Sequence, residues 1–222
     1  MPSRTVDDLT RRVLAWHDSL PWTAEFGVLL PPVLAELGEG EPVEPARIAA
    51  RAGMPVDDVL DFLRRSPSEW DSDGRLVGFG LTLRPTRHRF EVDGRTFFAW
   101  CAPDTLAFPV LLKVTARVES PCFASGEPIR IELAPDGVRA VEPEGAVVSV
   151  VTPKIDLPDL RRRLCHHQHF FRSAEAAADW KAAHPEGLVL SVGDGFELMR
   201  RLAEHWFKSR AGSAGGDEQG AA

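Results

Sequence analysis

The amino-acid sequence predicts an α+β fold, in which an N-terminal winged-helix-like helical domain precedes a core of antiparallel β-sheets flanked by helices. Apolar residues recur at helical spacing up to about residue 65, whereas short β-branched or alternating runs bounded by Pro, Gly and Asp dominate after residue 80. A chain of 222 residues can bury an ample core. We divide it into residues 1–80, residues 81–210 and a Gly/Ala/Ser-rich tail over residues 211–222, which we expect to be disordered.

Two helices are predicted at the start of the chain. The first has one apolar face, formed by residues at steps of three and four: Val6, Leu9, Val13, Trp16 and Leu20. The second is expected to begin at Pro31-Pro32, because proline is tolerated in the first turn of a helix, and to end at Gly38.

A winged helix-turn-helix outline follows. Short helices are predicted over residues 45–52 and 56–65, joined by Gly53-Met54-Pro55. Asp73-Gly74 then predicts a tight hairpin turn, which supplies the wing. Helix, glycine-containing turn, helix and hairpin is the arrangement of many DNA-binding domains.

The charge of this domain argues against DNA binding. Residues 1–80 hold eight Arg and Lys against 14 Asp and Glu, a net charge of −6, and the whole chain carries −7. The second short helix opens with Asp57 and Asp58, where a recognition helix meets phosphates and base edges. We therefore expect no nucleic-acid partner and interpret the domain as a structural or lid-like module.

The second part of the chain is predicted as strands with a few helices. Asp93-Gly94 indicates a hairpin between strands over residues 87–92 and 95–100. Further strands are predicted over residues 114–119, 129–133, 137–141 and 146–151. Helices are predicted over residues 104–112, 157–164, 173–184 and 196–208, with Ser173 as an N-cap.

The composition and the lengths of the apolar runs predict the compartment in which the protein works. The apolar runs are too short to span a bilayer, so no membrane association is expected. The first residues lack the apolar segment of a secretory signal. Three cysteines are too few for a disulfide scaffold, which favours free thiols in a reducing cytoplasm.

Cys101 and Asp104 are the first candidates for chemistry. Cys101 follows a predicted strand, and Asp104 stands where a helix is predicted to begin. A thiol at such a junction feels the positive end of the helix dipole, and a carboxylate three residues on can return to it within the first turn. The alternative is a small buried cysteine beside an N-cap aspartate.

Cys165 lies beside three histidines, His166, His167 and His169. Cys165 and His169 have the spacing of one half of a zinc site, but Cys101-x-x-Asp104 makes a poor second half. A cysteine–histidine nucleophilic pair is a further alternative, although no hydrolase signature surrounds either cysteine. Two further interpretations stay open: Cys165 is a core residue, and the histidines are polar side chains at the surface.

The segments around both cysteines resemble the alkylmercury (organomercurial) lyase family. Residues 98–109, FAWCAPDTLAFP, are similar to the first active-site segment of that family, and residues 165–171, CHHQHFF, to the second. The likeness extends to residues 73–83, 140–143 and 173–180 and covers about residues 5–208. It departs from some relatives at His166, where they carry a second cysteine, and at Pro103, where they carry a bulkier apolar residue.

The resemblance implies a catalytic trio of Cys101, Asp104 and Cys165, with residues 81–210 as the catalytic core and Cys122 as a structural cysteine. It implies cleavage of a carbon–mercury bond to a hydrocarbon and Hg(II), with Asp104 as proton relay and the trio holding the product Hg(II). No organic cofactor is expected. Cellular thiols would support turnover, and mercuric reductase would accept the metal.

The alternative, from another class, is a winged-helix regulator that senses metals or organomercurials and has no lyase activity. A structural zinc protein is a third possibility.

Overall fold

The computed structural model describes residues 4–19, 23–151 and 160–213. It confirms the α+β fold, with helices first and antiparallel sheets after them. Leu20 of the predicted first apolar face and residues 157–159 of a predicted helix lie outside the described residues.

The first two helices are α1 (Arg4–Asp18) and α2 (Thr23–Leu37). The prediction that α2 begins at Pro31 is wrong, because the helix starts at Thr23 and contains both prolines. A proline inside a helix removes one backbone hydrogen bond and favours a break. Here the residues on either side are buried, including Leu29 and Val33 at 0% exposure, so packing outweighs that cost.

The helix-turn-helix agrees with its predicted bounds, α3 (Pro45–Ala52) and α4 (Val56–Arg65). Gly53 between them takes the left-handed conformation at φ 68°, which glycine adopts at little cost. The wing is the antiparallel pair of β1 (Glu69–Trp70) and β2 (Leu76–Phe79). The domain therefore has the predicted winged-helix outline.

Among the residues that the structure describes, the larger sheet has eight strands in the order β1-β2-β3-β5-β4-β6-β7-β8, so the wing continues directly into it. Every neighbouring pair is antiparallel. The strands after the wing are β3 (Leu81–Thr82), β4 (His88–Val92), β5 (Arg95–Ala99), β6 (Ala116–Pro121), β7 (Pro128–Ala134) and β8 (Gly137–Glu142). Alternating burial along β6 and β7 shows that one face of this part of the sheet covers the core.

The smaller sheet has three strands within the described ranges, in the order β10-β9-β11. They are β9 (Val147–Val150), β10 (Phe170–Phe171) and β11 (Leu188–Ser191). Neither β10, β11 nor β3 was predicted, since each has only two to four residues and their pattern is too short to identify.

In the described part of the chain, four more helices surround the sheets, and their bounds correct the predictions. They are α5 (Ala102–Leu112), α6 (Leu160–Arg163), α7 (Ala178–Ala183) and α8 (Val192–Ser213). Residues 173–177 form turns rather than helix, with the Ser173 hydroxyl accepting the Ala176 N–H at 3.2 Å. The helix α8 begins before residue 196 and includes residues 211–213 of the predicted tail, whereas residues 214–222 lie outside the described part.

The long helix α8 joins the two parts of the molecule, because it packs on α1 and α2 as well as on α5. At Gly195 it approaches β9 so closely that an added Cβ would lie 2.5 Å from Cγ1 of Val148. Among the described residues, no helix is both long and apolar enough to cross a membrane.

Candidate active site

Cys101 lies at the junction between β5 and α5. It occupies the N-cap position of α5 with an extended backbone, φ −146° and ψ 170°. The helix begins at Ala102 rather than at residue 104, so Asp104 lies within its first turn and is not the N-cap. This turn brings the Asp104 side chain back toward Cys101, as the spacing suggested.

Cys165 enters the site from a different segment. It begins a single 3₁₀ turn, Cys165–His167, directly after α6. Gln168 joins this turn to the start of α5, because its carbonyl accepts the Ala102 N–H at 3.3 Å. Its side-chain Nε2 also lies 3.7 Å from Sγ of Cys101.

The fold brings Cys101, Asp104 and Cys165 into one cluster. The two sulfur atoms and a carboxylate oxygen all lie within 4.8 Å of one another. Cys101 is 1% exposed and Cys165 6% exposed, and neither forms a disulfide. Asp104 is partly exposed overall, but its Oδ2 atom is buried and has no hydrogen-bond partner among the described residues.

Burial controls the protonation of the cluster. It raises the pKa of the Cys101 thiol well above its ordinary value, with further contributions from Cys165 and the Asp104 charge, so free Cys101 holds its proton at neutral pH. Burial also raises the pKa of Asp104 to about 6, against the opposing effects of Cys101 and the Arg161 guanidinium. A carboxyl group of this pKa exchanges protons readily near neutral pH.

Arg161 connects the cluster to the N-terminal domain. Its guanidinium donates to Oε1 of Glu69 in the wing and lies 4.7 Å from the ring centre of Trp100, the neighbour of Cys101. Glu69 is 9% exposed and also accepts from the Thr82 hydroxyl. Burial opposes ionisation of Glu69, but the bonds from Thr82, Trp100 and Arg161 lower its pKa, so it pairs with Arg161 as a carboxylate.

An apolar cavity of about 170 Å³ opens onto the three side chains. Its wall comes from both parts of the molecule, since α1 and α2 face α5 and α8 across it. Aromatic rings make up much of the lining: Trp16, Phe26, Phe79, Trp100, Phe108 and Trp206. A cavity with this lining suits an apolar ligand.

The histidines beside Cys165 are directed elsewhere. His166 is exposed, and His167 Nδ1 lies 3.2 Å from Nε2 of His184. His169 stacks on Phe123 at 3.8 Å between ring centres. None of the three joins a metal-ligating cluster within the described ranges, so the Cys165–His169 half-site does not form there.

Cys122 follows β6 and takes no part in the cluster. It is 1% exposed, and its sulfur accepts the Arg172 N–H at 3.4 Å. Burial tends to raise its pKa, but the Ser125 hydroxyl and nearby backbone N–H groups outweigh that effect and lower it. These contacts connect the turn after β6 to the residue that follows β10.

Gln168, Arg161 and Glu69 were not identified from the sequence. Gln168 lies within the CHHQHFF segment but carries no pattern of its own, and Arg161 stands in a run of three arginines, Arg161 to Arg163. Glu69 lies 92 positions from Arg161, so only the fold reveals the pair.

Comparisons with known proteins agree with this geometry. The family model described as alkylmercury lyase matches residues 81–204, and the model of the helix-turn-helix domain of alkylmercury lyase matches residues 17–80. The alkylmercury lyase of Staphylococcus epidermidis is 49% identical over 182 residues, covering 82% of this chain and 84% of its own. That of Bacillus cereus is 46% identical over 194 residues, covering 87% and 86%.

A solved structure supports the fold independently. The chain described as the mercury-bound form of MerB2 superposes with a TM-score of 0.74 at 24% identity, over 89% of this chain and 98% of that one. Two family models together span most of the sequence, and relatives well above 40% identity cover four-fifths of it. The chain belongs to the alkylmercury lyase family, which is a family of enzymes.

Proposed function

We propose that this enzyme cleaves the carbon–mercury bond of alkyl or aryl mercurials, using Cys101 and Cys165 as mercury ligands and Asp104 as the proton relay. The observation that carries the proposal is the convergence of the two sulfurs and a carboxylate oxygen within 4.8 Å at an apolar cavity. Family membership supports the reaction, and the cluster supports the assignment of roles.

The first step is capture of the substrate by a thiolate. Mercury is a soft metal and prefers thiolates to oxygen or nitrogen ligands. Because metal ligation requires the deprotonated sulfur, binding of R–Hg⁺ to one cysteine releases its proton. The cavity meanwhile covers the organic group with apolar side chains and excludes water from it.

The second step is proton transfer to carbon. Asp104 takes the proton of the second thiol, which then binds mercury, and delivers the proton to the carbon as the carbon–mercury bond breaks. The balance is R–Hg⁺ and two thiols giving R–H, one proton and a neutral Hg(II) bis-thiolate. Mercury stays Hg(II) throughout, so the reaction needs no oxidant, reductant or organic cofactor.

Release of the metal requires an acceptor. Two thiolates bind Hg(II) tightly, so exogenous thiols are needed to remove it between turnovers. We infer that cellular thiols carry it to mercuric reductase and that the protein works in the reducing cytoplasm, where its cysteines stay free.

The regulator alternative finds less support in the N-terminal domain. Arg65 of α4 pairs with Glu25, and Arg47 and Arg51 of α3 both pair with the buried Glu36. Each of these cations is therefore neutralised by a carboxylate within the domain, which reduces its attraction for phosphates. We infer that the domain closes the cavity and has no nucleic-acid partner.

The decisive test is whether the enzyme releases the hydrocarbon product. The reduced full chain, incubated with phenylmercury and excess low-molecular-weight thiol, is expected to release benzene, measured by gas chromatography. Folded, reduced protein that releases none would overturn the lyase assignment. Retained binding of a promoter fragment in such a preparation would instead favour the regulator.

A further inference from the structure

A second group of metal-ligating side chains converges where α1 ends against α8. His17 and Asp18 are the last two residues of α1, and His205 lies on α8. One ligand atom from each lies within 4.8 Å of the other two. Oδ1 of Asp18 is 2.9 Å from Nε2 of His205 and 3.6 Å from Nδ1 of His17.

These distances fit a small divalent cation. Ligand atoms about 2.0–2.2 Å from a four-coordinate Zn²⁺ lie roughly 3.4 Å from one another. The two distances to Asp18 bracket that value, so small side-chain movements suffice. Two imidazoles and a carboxylate are ligands that Zn²⁺ and Co²⁺ accept, whereas Hg²⁺ prefers the thiolates of the trio.

The three side chains combine one buried ligand with two that solvent can reach. The His17 side chain is 5% exposed and contacts Phe26 and Trp206 at 5.4 and 5.7 Å between ring centres. Burial lowers its pKa despite the opposing effect of Asp18. The Asp18 and His205 side chains are 49% and 31% exposed, which gives an ion access from solvent.

We propose that His17, Asp18 and His205 form a binding site for one Zn²⁺ or similar divalent cation, which links α1 to α8. The site is independent of the proposed lyase function, since none of its residues belongs to the trio. His17 and Trp206 also line the apolar cavity, so a bound cation fixes part of the cavity wall.

The test uses the full chain carrying Cys101→Ser and Cys165→Ser, which removes the thiols of the trio as competing ligands. Co²⁺ is titrated as a spectroscopic probe, and thermal unfolding is followed with and without Zn²⁺. We expect one equivalent of Co²⁺ to bind with visible absorption and without the near-ultraviolet band of sulfur ligation. Zn²⁺ is expected to raise the Tm, because it binds the folded state.

Asp18→Asn and His205→Gln are each expected to weaken Co²⁺ binding at least roughly tenfold and to abolish the Zn²⁺ effect on Tm. Both side chains are partly exposed, so these variants are expected to fold. His184→Gln, which removes one member of the separate His167–His184 pair, is the matched control and should bind as before. Absence of Co²⁺ binding, binding that survives both substitutions, or a sulfur-ligation band would each overturn the proposal.

Discussion

Gln168 places its side-chain nitrogen 3.7 Å from the sulfur of Cys101, while its backbone holds the two cysteine segments together. Its N–H donates to the Cys165 carbonyl at 3.2 Å, and its own carbonyl accepts from Ala102 at 3.3 Å. Gln168 therefore contacts both of the segments that carry the cysteines of the trio. Gln168 as a whole is 5% exposed, so water does not replace the contact easily.

The Gln168 side chain is expected to stabilise a thiolate at Cys101. Gln168→Met keeps the size and removes the donor, and we expect it to slow benzene release about tenfold, because a bond to a charged group contributes about 1.5–3 kcal/mol and a sulfur acceptor lies at the weak end. Gln168→Glu should be slower still, since a carboxylate beside Cys101 opposes thiolate formation. Single-turnover rates across pH measure both effects. Equal rates for Gln168→Glu and the unsubstituted enzyme would show that the contact has no such role.

The three cysteines are expected to separate into two classes. Cys101→Ser and Cys165→Ser should each abolish turnover, because either leaves a single thiolate for mercury. Cys122→Ser should keep the specific activity and lower the Tm, since the buried Cys122 sulfur accepts the Arg172 N–H at 3.4 Å. Benzene release and thermal unfolding on the same preparations distinguish these outcomes. Normal turnover by either trio variant would contradict the two-thiolate mechanism.

Asp104 is expected to cost the enzyme stability at neutral pH. Its pKa is about 6 in the folded protein against 3.8 as the ordinary value, so the folded state binds more protons than the unfolded state between these values. Its contribution to stability is therefore present below about pH 4 and is lost as pH rises through 6. The raised pKa of Asp104 corresponds to on the order of 3 kcal/mol of lost stability at neutral pH.

The variant Asp104→Asn removes that ionisation and the proposed proton relay together. We expect it to be inactive and yet more stable than the unsubstituted enzyme at pH 7.5, with the difference shrinking toward pH 4. Urea unfolding at both pH values measures the free energies of unfolding. If the Asn variant were less stable than the unsubstituted enzyme at pH 7.5, the Asp104 carboxylate would be stabilised in the fold and not destabilised by its burial.

The sequence specified the local features of the site and left the relations between segments open. The bounds of α3 and α4 follow from Pro45, Gly53 and Pro55, and both hairpin turns follow from Asp-Gly pairs, because each signal acts within a few residues. The start of α2 was missed since burial in the core outweighs the local effect of Pro31. Local sequence left Cys101 and Cys165 as separate candidates; only the resemblance joined them before the structure did.

The contact between Glu69 and Arg161 joins residues far apart in the sequence, so only the fold reveals it. Through this contact the N-terminal domain is expected to influence the chemistry of the site. Glu69 lies in the wing, and Arg161 lies on α6, four residues before Cys165. The Arg161 guanidinium lies over the ring of Trp100, the neighbour of Cys101. Among the charges near Asp104, the Arg161 guanidinium acts to lower its pKa. Loss of Arg161 is therefore expected to raise the pKa of Asp104 above about 6.

Arg161→Met is expected to move the acid limb of the rate–pH profile to higher pH, because in the proposed mechanism Asp104 must be ionised to accept the thiol proton. Arg161→Lys should move it less, since the charge remains although the planar contact with Trp100 is lost. Glu69→Gln is the control for the position of Arg161, because it keeps the Arg161 charge but weakens the bond that holds the guanidinium. We expect it to lower the rate and the Tm, with a smaller shift of the rate–pH profile. The measurement is single-turnover benzene release between pH 5 and 8, with the Tm of each variant recorded beside it. If Arg161→Met lowered the rate equally at every pH, Arg161 would act on the position of the α6 segment alone and not through the charge of Asp104.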